Sequence, residues 1–539
     1  MATRTRTVGE YAVELIAANG IDTVFGIPGV HNLELYRGLS RQGLRHVLVH
    51  HEQNAGFCAD GFARMSGRPA AAFVISGPGL TNILTALGQA WADSVPVLVI
   101  ASTPPRGSLG KRWGVLHELK DQRALAEGVC QVARSARTAE DVRDHLRAAF
   151  AALRAPRPRP AYVEIPLDLL AEPTALAAER FAPPEGVMLP APAAMERAVA
   201  MLRAARRPLL IAGGGARYAG PAIAALVDQL DAYLVTTAAA KGILPERHPA
   251  NLGASLPYRA TQTLIASADV VLATGTELSE TDSYFTLKLQ IDGELIRVDV
   301  DPAKLADHYG AKLALRADAR ACLDSLTRAS LSSSGWRRDQ GGAPAHRERI
   351  AQQFDALAQA CIGALQALRA GLPDDAAVMA DMTQIAYQGA YSFPVDAPGL
   401  WHVPSGYGTL GYALPAALGA KLAAPERAVV ALAGDFGLQF TLHELSTAVE
   451  LGCTLPIVLW NNDCLGQIRD DMVRAGIGLV GVAARNPDFC ALAQACGAAA
   501  QRVREPAALT RAVRTALGHA GPTVIEVDAT AFGAPGRSA

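Results

Sequence analysis

Ala428-Val429-Val430-Ala431-Leu432-Ala433-Gly434-Asp435-Phe436-Gly437 is the stretch on which the fold turns. Six apolar residues without a polar interruption describe a strand buried on both faces, as in a parallel sheet covered by helices. Gly434 to Gly437 reads as the turn at its carboxyl edge. Thr441 followed by Glu444 has the spacing of a capping box and predicts the start of a helix there. The next apolar run, Leu455-Pro456-Ile457-Val458-Leu459-Trp460, delivers Asn461-Asn462-Asp463. Ligands of open α/β sheets bind beyond the carboxyl ends of strands. Asp435 and Asn462 therefore arrive side by side as two hard oxygen ligands, which suits Mg²⁺ shared with a phosphate. The competing reading is a turn Asp and a strand-end Asn serving local backbone groups.

Outward from this unit, strand-like runs alternate with Ala-rich helical stretches through most of the chain. That pattern predicts α/β architecture with mainly parallel sheets flanked by helices. Two interruptions rich in Pro, Gly and charge follow Asp168 (Ala171-Glu172-Pro173, then Pro183-Pro184-Glu185-Gly186) and span Ser330 to Arg347. They divide the chain into three domains, placed at 1–172, 190–330 and 348–530, each of ordinary domain size. Arg159-Pro160-Ala161-Tyr162-Val163-Glu164-Ile165-Pro166-Leu167-Asp168 echoes Gly521-Pro522-Thr523-Val524-Ile525-Glu526-Val527-Asp528. In both, a Pro-marked turn feeds a β-branched strand that ends in acids, so the first and third domains are expected to be related.

Composition narrows the classes. The 539 residues are 50% hydrophobic and 19% charged, with a net charge of −1, the profile of an ordinary globular enzyme. Lys and Arg are spread evenly, so no basic footprint for nucleic acid is present. Apolar runs stay far below the roughly 18 residues that would suggest a membrane span. Met1-Ala2-Thr3-Arg4-Thr5-Arg6 lacks the apolar stretch of a secretory signal. Eight scattered cysteines, without a CxxC pair, fit reduced and mostly packed thiols. A cytoplasmic protein is expected.

In the first segment, Val47-Leu48-Val49 reads as a strand, followed by His50-His51-Glu52-Gln53-Asn54-Ala55-Gly56 and a helix through Ala63-Arg64. By itself Glu52 is an acid favoured by a helix N-terminus. Phe25-Gly26-Ile27-Pro28-Gly29-Val30-His31-Asn32 and Ser76-Gly77-Pro78-Gly79-Leu80-Thr81-Asn82 are Gly/Pro loops beyond further strands. Gly406-Tyr407-Gly408-Thr409-Leu410-Gly411-Tyr412 precedes an Ala-rich helix in the third segment.

Taken in order, these blocks resemble the acetolactate synthase and 2-oxo acid decarboxylase superfamily of thiamine diphosphate enzymes, over nearly the whole chain. The resemblance implies the thiamine diphosphate-binding fold, with a pyrimidine-binding first domain and a diphosphate-binding third domain. Asp435, the Asn462 side chain and the Cys464 carbonyl would bind Mg²⁺ on the diphosphate. Gly434, Phe436, Gly437 and Gly466 would lie along that group, with Thr383 and Gln384 at further diphosphate positions. Phe436 departs from the small residue usual there and puts the local turn geometry in question. Glu52 matches the acid that hydrogen-bonds the aminopyrimidine ring, where a carboxylate able to share a proton is needed. Leu410 would bend the cofactor, the Gly408 carbonyl and Leu410 amide would hold its ring, and Gly29 and Gly77 would approach it closely. Pro208-Leu209-Leu210-Ile211-Ala212-Gly213-Gly214-Gly215 makes a poor dinucleotide site, so FAD, which some relatives bind, is not expected. Thr236 to Glu246 strongly resembles the family's central domain. The family also implies a homodimer or homotetramer with cofactor sites between subunits.

Substrate choice is read from the departures. Where pyruvate-type decarboxylases carry an Asp, a His pair and a Glu, this chain has Val30, His117-Glu118 and Ile468. His117 is the candidate proton donor after decarboxylation, against the alternative of a surface-loop histidine. Gly26 to Leu39, Leu116 to Arg123 and Gly466 to Met472 resemble 2-ketoarginine decarboxylases. The expected reaction is 5-guanidino-2-oxopentanoate to 4-guanidinobutanal and CO₂. A guanidinium needs carboxylates; Asp471, Glu277, Glu280 and Asp282 are candidates, with Val30, His31 and Ile468 beside the substrate. The alternative is a carboligase of the acetolactate synthase type, which joins the decarboxylated fragment to a second carbonyl. A non-catalytic relative would have lost Glu52, Asp435 or Asn462, and all three are present.

Overall fold

A computed structural model describes residues 6–184, 186–284 and 287–535. Met1 to Thr5, in the basic N-terminal stretch, and Glu185, in the first interruption, lie outside them. Three all-parallel sheets carry the chain. The first contains Thr23–Gly26, Arg45–Leu48, Ala70–Val74, Val97–Thr103, Val132–Ser135 and Ala161–Pro166. The third contains Ala377–Ala380, Trp401–His402, Val429–Gly434, Leu455–Asn461, Ala499–Val503 and Pro522–Asp528. With strands counted along the chain within each sheet, both run in the order 2-1-3-4-6-5. The two echoing segments, Ala161–Pro166 and Pro522–Asp528, occupy the same place in the two sheets. The expected relation between first and third domains is therefore topological identity. Between them lies a five-stranded parallel sheet in the order 2-1-3-4-5.

Val429–Gly434 is buried along its whole length between two parallel neighbours, as its unbroken apolar run requires. The helix beyond it begins six residues earlier than Thr441 and Glu444 suggested. Asp435–Thr441 is already helical, and a second helix, Glu444–Glu450, has His443 at its N-cap. No capping box forms, because Glu444 is recruited elsewhere. Its buried carboxylate accepts from the His50 amide, Asn54 and Thr447. A long-range tie outcompeted the local cap.

The interruption from Ser330 to Arg347 is partly helical, over Trp336–Asp339 and Gly342–Ala351. Arg337 and Arg338 both reach the buried carboxylate of Asp231, which fastens this segment to the central sheet. The first and third sheets meet through equivalent helices, each following the second strand of its sheet. In that contact Glu52–Ser66 packs on Ala413–Ala423. A Cβ at Gly61 would overlap the Ala416 carbonyl, and one at Gly419 the Cys58 carbonyl. Two glycines thus bring the helix backbones into direct contact. Beside them a buried network crosses the same interface: Asp60 accepts from Tyr412 at 2.6 Å and from Arg64 at 2.6 Å, while Asp93 accepts from Arg64 and from the Gly406 amide. No helix among the described residues is long and apolar enough to cross a membrane.

Candidate functional site

The candidate residues of the third domain lie on strand ends, loops and the helices that follow them at the carboxyl edge of its sheet. In the order 2-1-3-4, connections leave strands 1 and 3 toward opposite sides, which opens a crevice between them. Strand 1 ends in Asp381-Met382-Thr383 and strand 3 in Gly434-Asp435, so the crevice lies between these segments. Thr383 is the N-cap of Gln384–Ser392, and its side chain would meet any Cβ at Gly434. Asn462 donates to Gln384 at 3.4 Å, and a Cβ at Gly466 would strike both side chains. Thr383, Gln384, Gly434, Asp435, Asn462 and Gly466 are thereby gathered at one edge.

Asp435 opens its helix with a buried carboxylate that accepts from the Phe436 amide at 3.0 Å and from Asn486 at 2.7 Å. Burial pushes its carboxyl up to about 6. Its hydrogen-bond donors among the described residues are neutral amides, and a buried anion of this kind favours a cation. The oxygen donor set of Asp435, Asn462 and the Cys464 carbonyl fits a small hard divalent ion. The chain turns through Asp463, in the left-handed region at φ 56°, which an Asp tolerates. Asn486, which the sequence reading passed over, donates to Asp435, Asn461 and Asp463 and ties the two loops together. A separate grouping of Asp488, Cys490 and Glu526 is bridged by Arg502, which already supplies its positive charge.

Phe436 causes no strain, because position 436 is ordinary helix. The close approach falls instead at Gly437, where a Cβ would overlap the Asp381 carboxylate. Asp381 is a second residue the sequence did not signal. It is buried, accepts from the Met382 and Gly411 amides, and is pushed up to about 6 by burial. It pins the Gly406–Tyr412 loop beside the Asp435 helix. Gly408 adopts φ +72°, and Leu410 is half-buried.

The first domain repeats the arrangement. Glu52 begins the helix after strand 2, is buried, and accepts from Asn82 at 2.9 Å. Strand 1 leads into Gly29, whose amide donates to Asn32, and then to the exposed Val30 and buried His31. Strand 3 leads to Ser76 and Gly77, and strand 4 to the segment that carries His117. These loops converge. His31 makes a short hydrogen bond to Ser76, and its ring meets that of His117 edge-on at 4.8 Å. Gly77, at φ +66°, lies against the His117 backbone, and its amide donates to buried Gln122. His117 is itself at φ +63°, and its buried Nδ1 has no partner among the described residues. Sequence spacing showed one histidine at this position; tertiary contact shows two.

Of the substrate candidates, Ile468 is exposed, and Asp471 is paired with Arg474 at 2.7 Å and bonded to Gln467. Glu277 is held by Arg157 and Lys304. In the central Gly213-Gly214-Gly215 turn, Cβ atoms at Gly213 and Gly215 would collide with Gly275 or Thr276, so these two glycines serve backbone packing.

The chain belongs to the thiamine pyrophosphate enzymes. Their N-terminal TPP binding domain matches residues 6–125, their central domain 195–326 and their C-terminal TPP binding domain 381–527. Among its relatives is a Pseudomonas aeruginosa protein named "Probable 2-ketoarginine decarboxylase AruI", 49% identical over 97% of this chain and 94% of that protein. Acetolactate synthase isozyme 1 and isozyme 3 large subunits of Escherichia coli are 32% and 30% identical, over 87% and 94% of this chain and 84% and 92% of theirs. Thiamine diphosphate is the cofactor these domains bind.

Proposed function

We propose that this enzyme removes CO₂ non-oxidatively from 5-guanidino-2-oxopentanoate and releases 4-guanidinobutanal, using Mg²⁺ to hold the cofactor's diphosphate. The observation that carries the substrate is the 49% identity, sustained over 97% of the chain, to a relative named for 2-ketoarginine. The acetolactate synthases are more distant, at 32% and 30%, which makes carboligation the second reading.

Thiamine diphosphate, when bound, would supply a nucleophilic carbon for the 2-oxo carbonyl and an acceptor for the electron pair that departing CO₂ leaves. The residues of this chain prepare and close that step. Asp435, the Asn462 side chain and the Cys464 carbonyl would hold Mg²⁺, and Thr383, Gln384, Gly434, Phe436, Gly437 and Gly466 would border the diphosphate. Glu52 shares a proton with the aminopyrimidine ring nitrogen, while Gly29, Gly77, Gly408 and Leu410 orient the ring. His117 delivers the proton that replaces CO₂. Burial, and then neighbouring His117, lower the His31 pKa. His31 is therefore neutral at neutral pH and is placed to relay that proton rather than to store it.

The working unit in this proposal is at least a dimer, with the first domain of one subunit facing the third domain of another. Exposed apolar side chains around both edges support it: Val30, Leu33 and Leu116 on the first, and Ile468, Val473 and Ile477 on the third. The test is to assay the Mg²⁺-loaded holoenzyme with 5-guanidino-2-oxopentanoate and with pyruvate, following CO₂ and identifying products. Guanidinobutanal at the higher kcat/KM is expected. Acetolactate from pyruvate at the higher kcat/KM overturns the assignment.

A further inference from the structure

A small cavity of about 50 Å³ lies between the central and third domains. Met382 and Ser405 are among the residues that line it. Met382 adjoins Thr383 and lies beside Gly408, its methyl 3.8 Å from where a Cβ there would stand; Ser405 immediately precedes the Gly406–Tyr412 loop. Asp282, Tyr284 and Tyr387 also line it, the two tyrosine rings meeting edge-on at 5.7 Å. The cavity thus joins residues that neighbour Thr383 and Gly408 to an acid and two aromatic rings.

The surrounding acids differ sharply in availability. Glu277 is neutralised by Arg157 and Lys304, Asp471 by Arg474, and Asp470 by Arg469. Glu280 is exposed. Asp282 accepts from the Ser279 hydroxyl at 2.9 Å and forms no ion pair among the described residues. Burial, and then the charge of nearby Asp93, push its carboxyl up to about 6. A cation arriving at this carboxylate relieves both penalties. A planar guanidinium matches the site in a second way, because it pairs with a carboxylate through parallel N–H donors and stacks on aromatic faces.

We infer that Asp282, Tyr284 and Tyr387 form the pocket that receives the guanidinium end of the substrate, and that Asp282 determines the preference for a cationic 2-oxo acid. This inference rests on the substrate proposed above.

The test compares wild-type holoenzyme with Asp282→Asn on 5-guanidino-2-oxopentanoate and on its neutral counterpart of equal length, 5-ureido-2-oxopentanoate. The variant is expected to lose about 10- to 100-fold in kcat/KM for the guanidino acid, mainly through KM, the range for one charged hydrogen-bonded contact. Its use of the ureido acid should be retained. Tyr387→Leu, made in parallel, removes an aromatic face but keeps the charge, and should show a selective loss of the same kind. Two variants that both leave guanidino kinetics unchanged, or both weaken the two substrates equally, overturn the pocket while leaving the activity standing. A wild-type enzyme inactive on the guanidino acid overturns the substrate assignment, and this pocket with it.

Discussion

Glu52 shows how far a single residue can be read. At the start of a helix, a carboxylate has a generic electrostatic reason to be present, and only its ordered neighbours mark it as more. The structure adds that it is buried against Asn82, on the edge that also carries Gly77 and His31. Glu52→Gln preserves shape and removes the shared proton. The expected outcome is thiamine diphosphate affinity near that of the wild type with turnover reduced about 10²- to 10⁴-fold, the usual contribution of a positioned acid–base group. Cofactor titration followed by steady-state kinetics checks this, and full activity in the variant refutes the role of Glu52. His31 is the contrasting case. Its position after Val30 suggested no more than a place near substrate, because its partners Ser76 and His117 lie far along the chain. Asp381 and Asn486 were invisible for the same reason: each works by gathering amides or loops that are distant in sequence.

At the scale of elements, the strands were the most legible features and the helix starts the least. Val429–Gly434 and Leu455–Asn461 follow from apolar runs that leave no alternative to burial. The Thr441/Glu444 spacing failed as a helix start because Glu444 has better partners in the first domain than its own helix N-terminus offers. That long-range attachment sits beside the crossing of Glu52–Ser66 on Ala413–Ala423, where glycine makes room for carbonyl oxygens. Gly419→Ala is expected to destabilise the protein by about 1–3 kcal/mol, the common cost of overpacking. Thermal denaturation measures it, and an unchanged Tm would contradict the crossing geometry. The short strand Trp401–His402 offers a pH test. Burial, and then the charge of Arg64, lower the His402 pKa from 6.5 to about 3. The unfolded chain takes up a proton below pH 6.5 that the native state refuses until about 3. The stability present above pH 6.5 is therefore lost progressively as pH falls through this window. Tm measured from pH 7.5 to 4.5 should fall more steeply for the wild type than for His402→Asn; parallel slopes would remove His402 from the account.

The whole molecule is a duplicated six-stranded unit around a different centre. The two sheets share the order 2-1-3-4-6-5, and the proposed chemistry is divided between their carboxyl edges, with Glu52 after strand 2 of the first sheet and Asp435 after strand 3 of the third. If those halves meet across subunits, Glu52→Gln and Asp435→Ala holoenzymes, each nearly inactive, should regain part of the activity when co-expressed or dissociated and remixed. Mixed dimers then contain one intact pair. No recovery, with mixed dimers demonstrated by differential tagging, would place each site within one chain. The sequence by itself determined the α/β class, the duplication, the cofactor class and the residues at strand ends, because these depend on local apolar runs and on ordered motifs. Only the tertiary structure decided that His31 stands with His117, that Asp381 holds the Gly406–Tyr412 loop, and which acids are already neutralised. Such facts depend on contacts mostly between segments tens of residues apart, where burial and the competition of partners for each charge are settled only once the chain has packed.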